Sequence, residues 1–177
     1  MTALSRFIAT VGYVGYLRPA PGTWGSLAGL ILAVPVIHFG GLYALALGMV
    51  IVLVIGHWAT KEVTRKGPHD PSEVVIDEVL GQWTAVIPCV QLYSASTAWT
   101  VSATGFPLDE FWLSMGLAFL LFRLFDIWKP WPVSMADRHE SPMGVMVDDW
   151  LAGMMAAIAL FAITAALGLA DFRVALW

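Results

Sequence analysis

The sequence predicts an all-α, multihelical integral membrane protein of about five membrane segments. Three observations carry that prediction: too little charge, gaps in the charge long enough for helices, and a one-sided distribution of the basic residues. Of 177 residues, 59% are hydrophobic and 12% charged, about half the roughly 25% charge of an ordinary soluble domain. So apolar a chain is not intrinsically disordered, a state that needs low hydrophobicity and high charge. It also lacks the polar groups to cover the surface of a small soluble globule. A net charge of −4 gives no basic footprint for nucleic acid. Cys89 stands alone, which removes disulfide frameworks and CxxC metal sites.

The segments follow from the gaps. No Asp, Glu, Lys or Arg occurs in residues 19–60, 79–108 or 150–170, and a spanning helix needs about 20 apolar residues. The first gap is too long for one span and is interrupted by Pro35, His38, Gly40 and Gly41. It reads as two antiparallel segments, 25–38 and 41–59, the first short for a full crossing. Segments 79–98 and 109–125 follow, the latter broken by Arg123, with a turn at 100–107 between them. Segment 150–170 closes the set, and the whole is treated as one domain. With the N-terminus cytoplasmic, regions 1–24, 60–78 and 126–149 share a side and hold Arg6, Arg18, Lys61, Arg65, Lys66, Lys129 and Arg138. Arg173 alone faces the other side, so this orientation satisfies the positive-inside rule. Trp24, Trp58, Trp83, Trp128, Trp131 and Trp150 fall at segment boundaries, where indole anchors to headgroups. His38 and His57 read as structural, His69 and His139 as solvated loop residues.

Ten of the thirteen acidic residues lie in the same three regions. Asp70 is placed to cap a helix, with Pro71 at its first position and Glu73 at its third, so that 70, 73 and 77 share a face. Asp77-Glu78 and Asp148-Asp149 are acidic pairs, each followed by an apolar span. Asp126 lies in the last turn of another span, where the helix dipole disfavours an anion. Arg123, Asp126 and Lys129 are spaced to share a face, and Pro130 and Pro132 stop the helix. Carboxylates at membrane helix ends are costly and mark function by default. Asp77, Glu78, Asp126, Asp148 and Asp149 at one depth repel unless a cation neutralises them, and oxygen ligands beside a phosphate select Mg2+. The irregular stretch Arg18-Pro19-Ala20-Pro21-Gly22-Thr23-Trp24-Gly25-Ser26 precedes the first span, with Thr23 or Ser26 as helix cap. Its free N–H groups and Arg18 suit a phosphate.

Several phosphate chemistries are absent. Ala95 stands where a cysteine phosphatase loop starting at Cys89 needs Arg, and there is no DxDx[TV] motif and no Walker loop. Four motifs do match a known pattern: Pro21-Gly22-Thr23-Trp24-Gly25-Ser26; Asp77-Glu78-Val79-Leu80-Gly81; Phe122-Arg123-Leu124-Phe125-Asp126-Ile127-Trp128-Lys129-Pro130-Trp131-Pro132; and Gly144-Val145-Met146-Val147-Asp148-Asp149-Trp150-Leu151-Ala152-Gly153. In this order they resemble the phosphatidylglycerophosphatase A family over about residues 5–170. The chain departs from the family pattern at Pro71-Ser72-Glu73, while Asp70 aligns.

The resemblance implies an all-α enzyme of the bacterial inner membrane, its active site facing the cytoplasm. Such an enzyme removes the terminal phosphate of phosphatidylglycerophosphate with Mg2+ and leaves phosphatidylglycerol. On this reading Asp77, Glu78, Asp126, Asp148 and Asp149 are candidate metal ligands, and Glu78 or Asp149 the base that activates water. Arg123 and Lys129 neutralise the phosphate, Lys129 at the reacting group, and Arg18, Thr23 and Asp70 complete the substrate side. A broader lipid phosphatase, a small transporter and a structural protein are the rival readings. The apolar spans argue against a transporter, which places polar groups at mid-membrane.

Overall fold

In the computed structural model, residues 2–65, 71–90, 108–138 and 141–167 are described. Their regular structure is entirely helical. Helix α1, Ala3–Ala9, starts with a reciprocal cap: Thr2 Oγ1 accepts from the Ser5 N–H, and Ser5 Oγ from the Thr2 N–H. A single 3-10 turn, Val14–Tyr16, leads into α2, Pro21–Thr64. After it come α3 (Ile76–Ala85), α4 (Leu108–Trp128), α5 (Val133–Asp137) and α6 (Pro142–Ala166).

Helix α2 reverses direction within itself. Gly41 has φ 55° and ψ −147°, a conformation open essentially to glycine alone. On the limb before it, Gly25 lies against Val75, and Gly29 against Val79 and Gln82. On the limb after it, Gly48 lies against Trp83 and Gly56 against Ile76. The two limbs therefore run along α3 in opposite directions, as the expected 25–38 and 41–59 pair requires. Pro35 stays inside the first limb, and the reversal belongs to Gly41.

Helices Pro21–Thr64, Phe111–Trp128 and Pro142–Ala166 are long and apolar enough to cross a membrane. Their outward faces carry large apolar side chains, among them Ile31, Leu47, Val54, Leu113, Leu120 and Ile158. The short helix α3 is the opposite case. All ten of its residues are buried, and it packs mainly between α2 and α6. Ile37, Leu45, Met115, Phe122 and Leu160 close the core around it.

Several boundaries differ from those expected. No helix starts at 71–73: Pro71 to Val75 are non-helical, with a turn at 72–73, and α3 begins at Ile76 without a side-chain cap. The reason is tertiary, since the Val75 N–H donates to the Ala9 carbonyl at 2.9 Å and Gly15 packs on the Glu73 carbonyl. Glu73 and Asp77 consequently share no helical face, and Asp70 lies outside the described residues. The segment expected at 79–98 starts at Ile76 and is interrupted at Val86, with 87–90 helical again and 91–98 outside the described residues. The turn at 100–107, His69, His139 and positions 168–170 also lie outside them. Helix α2 begins at Pro21, so Thr23 and Ser26 sit inside its first turns and cap nothing. Helix α6 begins at Pro142, capped by Ser141, which puts Asp148-Asp149 about two turns inside the helix. Trp83 is no interfacial anchor: it is buried, and its Nε1–H donates to the Gly29 carbonyl at 2.8 Å. Trp24, Trp58, Trp128, Trp131 and Trp150 are exposed.

Candidate functional site

Four helix segments deliver their polar residues to one end of the bundle. Asp77 and Glu78 occupy the first turn of α3, where the helix dipole favours anions. Asp126 lies in the last turn of α4 and Arg123 one turn before it, and the Arg123 guanidinium pairs with Asp126 Oδ2 at 2.9 Å. That ion pair offsets the unfavourable dipole at the C-terminal end of α4. Helix α6 contributes Asp148 and Asp149. Being adjacent on a helix, these two diverge by about 100°. Asp148 turns to Lys129, while Asp149 comes together with Glu78 and Asp126.

The carboxyl oxygens of Glu78, Asp126 and Asp149 lie within 4.8 Å of one another, each on a different helix. All five of Asp77, Glu78, Asp126, Asp148 and Asp149 are buried. Glu78 is the most tightly held. Arg123 Nη1 donates to its two oxygens at 2.7 and 2.6 Å, and Ser26 Oγ–H donates to Oε2 at 2.6 Å. A Cβ at position 22 would overlap Glu78 Oε1, so a side chain there displaces the carboxylate from this position.

Lys129 forms the second group. It follows the last residue of α4 with φ 47°, and this left-handed turn sends its ammonium away from the Arg123 face expected from spacing. Nζ donates to Asp148 Oδ2 at 2.9 Å and to Asp137. Burial pulls the Lys129 ammonium down, but the hydrogen bonds from Nζ to Asp137 and Asp148 outweigh it and hold the group protonated well above the usual lysine range.

A cavity of about 210 Å³ opens between these groups. Asp77, Glu78, Asp126, Asp148, Asp149 and Lys129 line it together with Pro21, Gly22, Ser72, Val74 and Val145. The other expected residues stand further off. Arg123 is behind the wall, engaged with Glu78 and Asp126. Arg18 is exposed at the rim and touches the lining residue Ser72 through Nη1 at 3.4 Å. Thr23 does not line the cavity, and Asp70 is outside the described residues. Three participants escaped the sequence reading: Ser26 as partner of Glu78, Ser72 in the wall, and Asp137 as partner of Lys129. For Ser26 a signal existed, a hydroxyl inside an irregular motif, but nothing local pointed to Glu78.

The donor set suits a hard cation. Five buried carboxylates face the two cations Arg123 and Lys129, and Asp148 Oδ1 is buried with no hydrogen-bond partner. Buried carboxylates in excess must either take up protons or meet further positive charge, and an all-oxygen set matches Mg2+ chemistry.

The sequence profile of one family, phosphatidylglycerophosphatase A, matches residues 7–164. The chain belongs to the phosphatidylglycerophosphatase A family. It is 36% identical over 153 residues to "Phosphatidylglycerophosphatase A" of Haemophilus influenzae, covering 84% of this chain and 82% of that one. It is 32% identical over 163 residues to the Escherichia coli protein of the same name, covering 87% and 80%. A Bacteroides thetaiotaomicron protein named "Putative phosphatidylinositol-3-phosphatase" is 31% identical over 148 residues, covering 81% and 83%. No solved structure matches the chain. Membership makes the chain a phosphatase of the phosphoric monoester hydrolase class. The four motifs that define the phosphatidylglycerophosphatase A resemblance are those that meet at the cavity or brace its wall.

Proposed function

We propose that this chain hydrolyses the terminal phosphomonoester of phosphatidylglycerophosphate, releasing phosphatidylglycerol and phosphate, at the cytoplasmic rim of a bacterial inner membrane. One observation carries the reading: five buried carboxylates and Lys129 surround a cavity at one end of a bundle whose flanks are apolar. A lipid held beside those flanks presents its headgroup at that end. The five-segment topology counts the two limbs of α2 separately and includes 79–98. The described basic residues Arg6, Arg18, Lys61, Arg65, Lys129 and Arg138 then share the cavity's side, which supports the cytoplasmic orientation.

Glu78, Asp126 and Asp149 are the residues to hold Mg2+, with Asp77 and Asp148 beside them. Bound there, the ion supplies charge neutralisation at the phosphoryl oxygens and lowers the pKa of water. Lys129, anchored by Asp148 and Asp137, meets the phosphate as a fixed positive charge. Whichever of Glu78 and Asp149 is not committed to the ion takes a proton from the water whose oxygen attacks phosphorus. The phosphorus–ester oxygen bond breaks, and the departing glycerol oxygen takes up a proton. Arg123 and Ser26 hold Glu78 and Asp126 in register throughout.

A second reading, a lipid phosphatase of broader headgroup range, is favoured by the relative named for phosphatidylinositol 3-phosphate. It also fits the described wall, in which Ser72 is the one neutral polar side chain. Phosphate release by the purified protein separates the readings. Rapid turnover of phosphatidylglycerophosphate, little on phosphatidylinositol 3-phosphate, and loss in Asp126→Asn and Asp148→Asn are expected. Equal rates on both lipids establish the broader enzyme. Chelator should abolish activity and Mg2+ restore it; full turnover in chelator removes the metal from the mechanism.

A further inference from the structure

The segment before α2 carries an unusually large share of its bulky apolar side chains on its outer face. Its small or polar residues, Ser5, Ala9 and Thr10, face the protein and are fully buried. Ile8 and Val11 also pack inward, but five large apolar residues, Leu4, Phe7, Tyr13, Tyr16 and Leu17, point outward and are 44–59% exposed. A helix against water shows the reverse arrangement. The outward rings are also mutually ordered. Phe7 meets Tyr13 edge-on at 5.6 Å between centroids, and Tyr13 stacks on Tyr16 at 6.2 Å. Tyrosine pairs an apolar ring with a polar tip and is enriched where hydrocarbon meets headgroups.

Two contacts attach this segment to the cavity wall. The Val75 N–H donates to the Ala9 carbonyl at 2.9 Å, and Gly15 packs so closely on the Glu73 carbonyl that no Cβ fits. Ser72 and Val74 on that stretch line the cavity, as do Pro21 and Gly22 just beyond Leu17. The exposed apolar face therefore lies at the site's end of the bundle. It runs on through Trp24 into the apolar exterior of α2 at Ile31 and Leu32. At seven residues, α1 is far too short to cross a bilayer. Arg6 and Arg18 add positive charge at its border.

We propose that residues 3–17 form an interfacial foot, lying in the anionic headgroup layer on the cavity's side and setting the height of the cavity against the lipid phosphates. The occupant is a lipid surface, because the face is continuous with the apolar exterior of α2 and bordered by arginines. This rests on the membrane-spanning reading of α2 and is independent of which lipid is hydrolysed.

The experiment uses the full chain in a Cys89→Ala background, reconstituted in phosphatidylcholine vesicles containing phosphatidylglycerol. A nitrobenzoxadiazole probe is placed at Phe7→Cys, Tyr13→Cys or Val54→Cys, and doxyl groups at acyl carbon 5 or 12 act as quenchers. Val54 is exposed near the middle of the second limb of α2 and reports whether that limb is in hydrocarbon. Blue-shifted emission at positions 7 and 13, quenched more by the shallow doxyl, with Val54 quenched more by the deep one, is the expected result. Water-like emission at 7 and 13 beside an embedded Val54 overturns the foot. Water-like emission at Val54 overturns instead the membrane reading beneath it. Emission at 7 and 13 that shifts with protein concentration and ignores the doxyl lipids assigns the face to a second copy of the chain, and likewise overturns the proposal.

Discussion

At the scale of single residues, the site depends on a hydroxyl that carries no charge of its own. Ser26 is fully buried and donates to Glu78 across 52 positions of sequence. Hydrogen bonds to charged groups contribute about 1.5–3 kcal/mol, and each 1.4 kcal/mol lost at a transition state is about tenfold in rate. Ser26→Ala should therefore lower kcat by roughly 10–100-fold with KM little changed, in protein that still folds, as steady-state kinetics would register. An unchanged kcat would mean that Arg123 alone positions Glu78. The carboxylates themselves were legible as adjacent acidic pairs before apolar runs, because buried charge is rare enough to notice. Ser26, Ser72 and Asp137 were not, since an ordinary serine or a loop aspartate gains meaning only from its partner.

At the scale of elements, glycines decide how close the helices come. A Cβ on Gly153 of α6 would overlap the Gly81 carbonyl of α3 and crowd Thr84, and one on Gly81 would strike Phe122 and the Asp149 carbonyl. Small residues at such crossings let backbones touch, and here the crossing joins the helices that carry Glu78 and Asp149. Gly153→Ala should cost about 1–3 kcal/mol by overpacking and lower kcat/KM at least ~10-fold. Full activity in a destabilised variant would show that the α3–α6 spacing does not set the site. Gly41 predicts the opposite division. Its backbone angles are glycine's, and the reversal lies at the far end of α2 from the cavity. Gly41→Ala should lose about 1–3 kcal/mol, seen as a lower melting temperature, while turnover per folded molecule stays normal. The reversal was legible to within a few residues, because Pro35, His38, Gly40 and Gly41 interrupt an apolar run too long for one span. The start of α3 was not: Asp70, Pro71 and Glu73 have good capping chemistry, yet the 71–75 stretch bonds to α1 instead.

At the scale of the whole molecule, three helices converge their carboxylates on one point, and a cation there would tie them together. Ligand binding to the native state alone stabilises by about 2.7 kcal/mol at a hundred times Kd. Mg2+ should raise the melting temperature of the wild-type protein in detergent relative to chelator, and Asp149→Asn should flatten that response. A melting curve indifferent to Mg2+ in the wild type would argue against a metal bridging α3, α4 and α6.

By itself the sequence determined the helical class, the apolar lengths, the one-sided placement of charge and the family, because composition and short motifs are local properties that no folding step alters. Only the tertiary structure decided which charges meet. Arg123 turns to Glu78 and Asp126 and leaves the cavity wall to Lys129, whose left-handed backbone carries it to Asp148 and Asp137. Those pairings depend on helix ends set by distant contacts and on glycine-limited distances between helices. Neither is written in the spacing of residues along one segment.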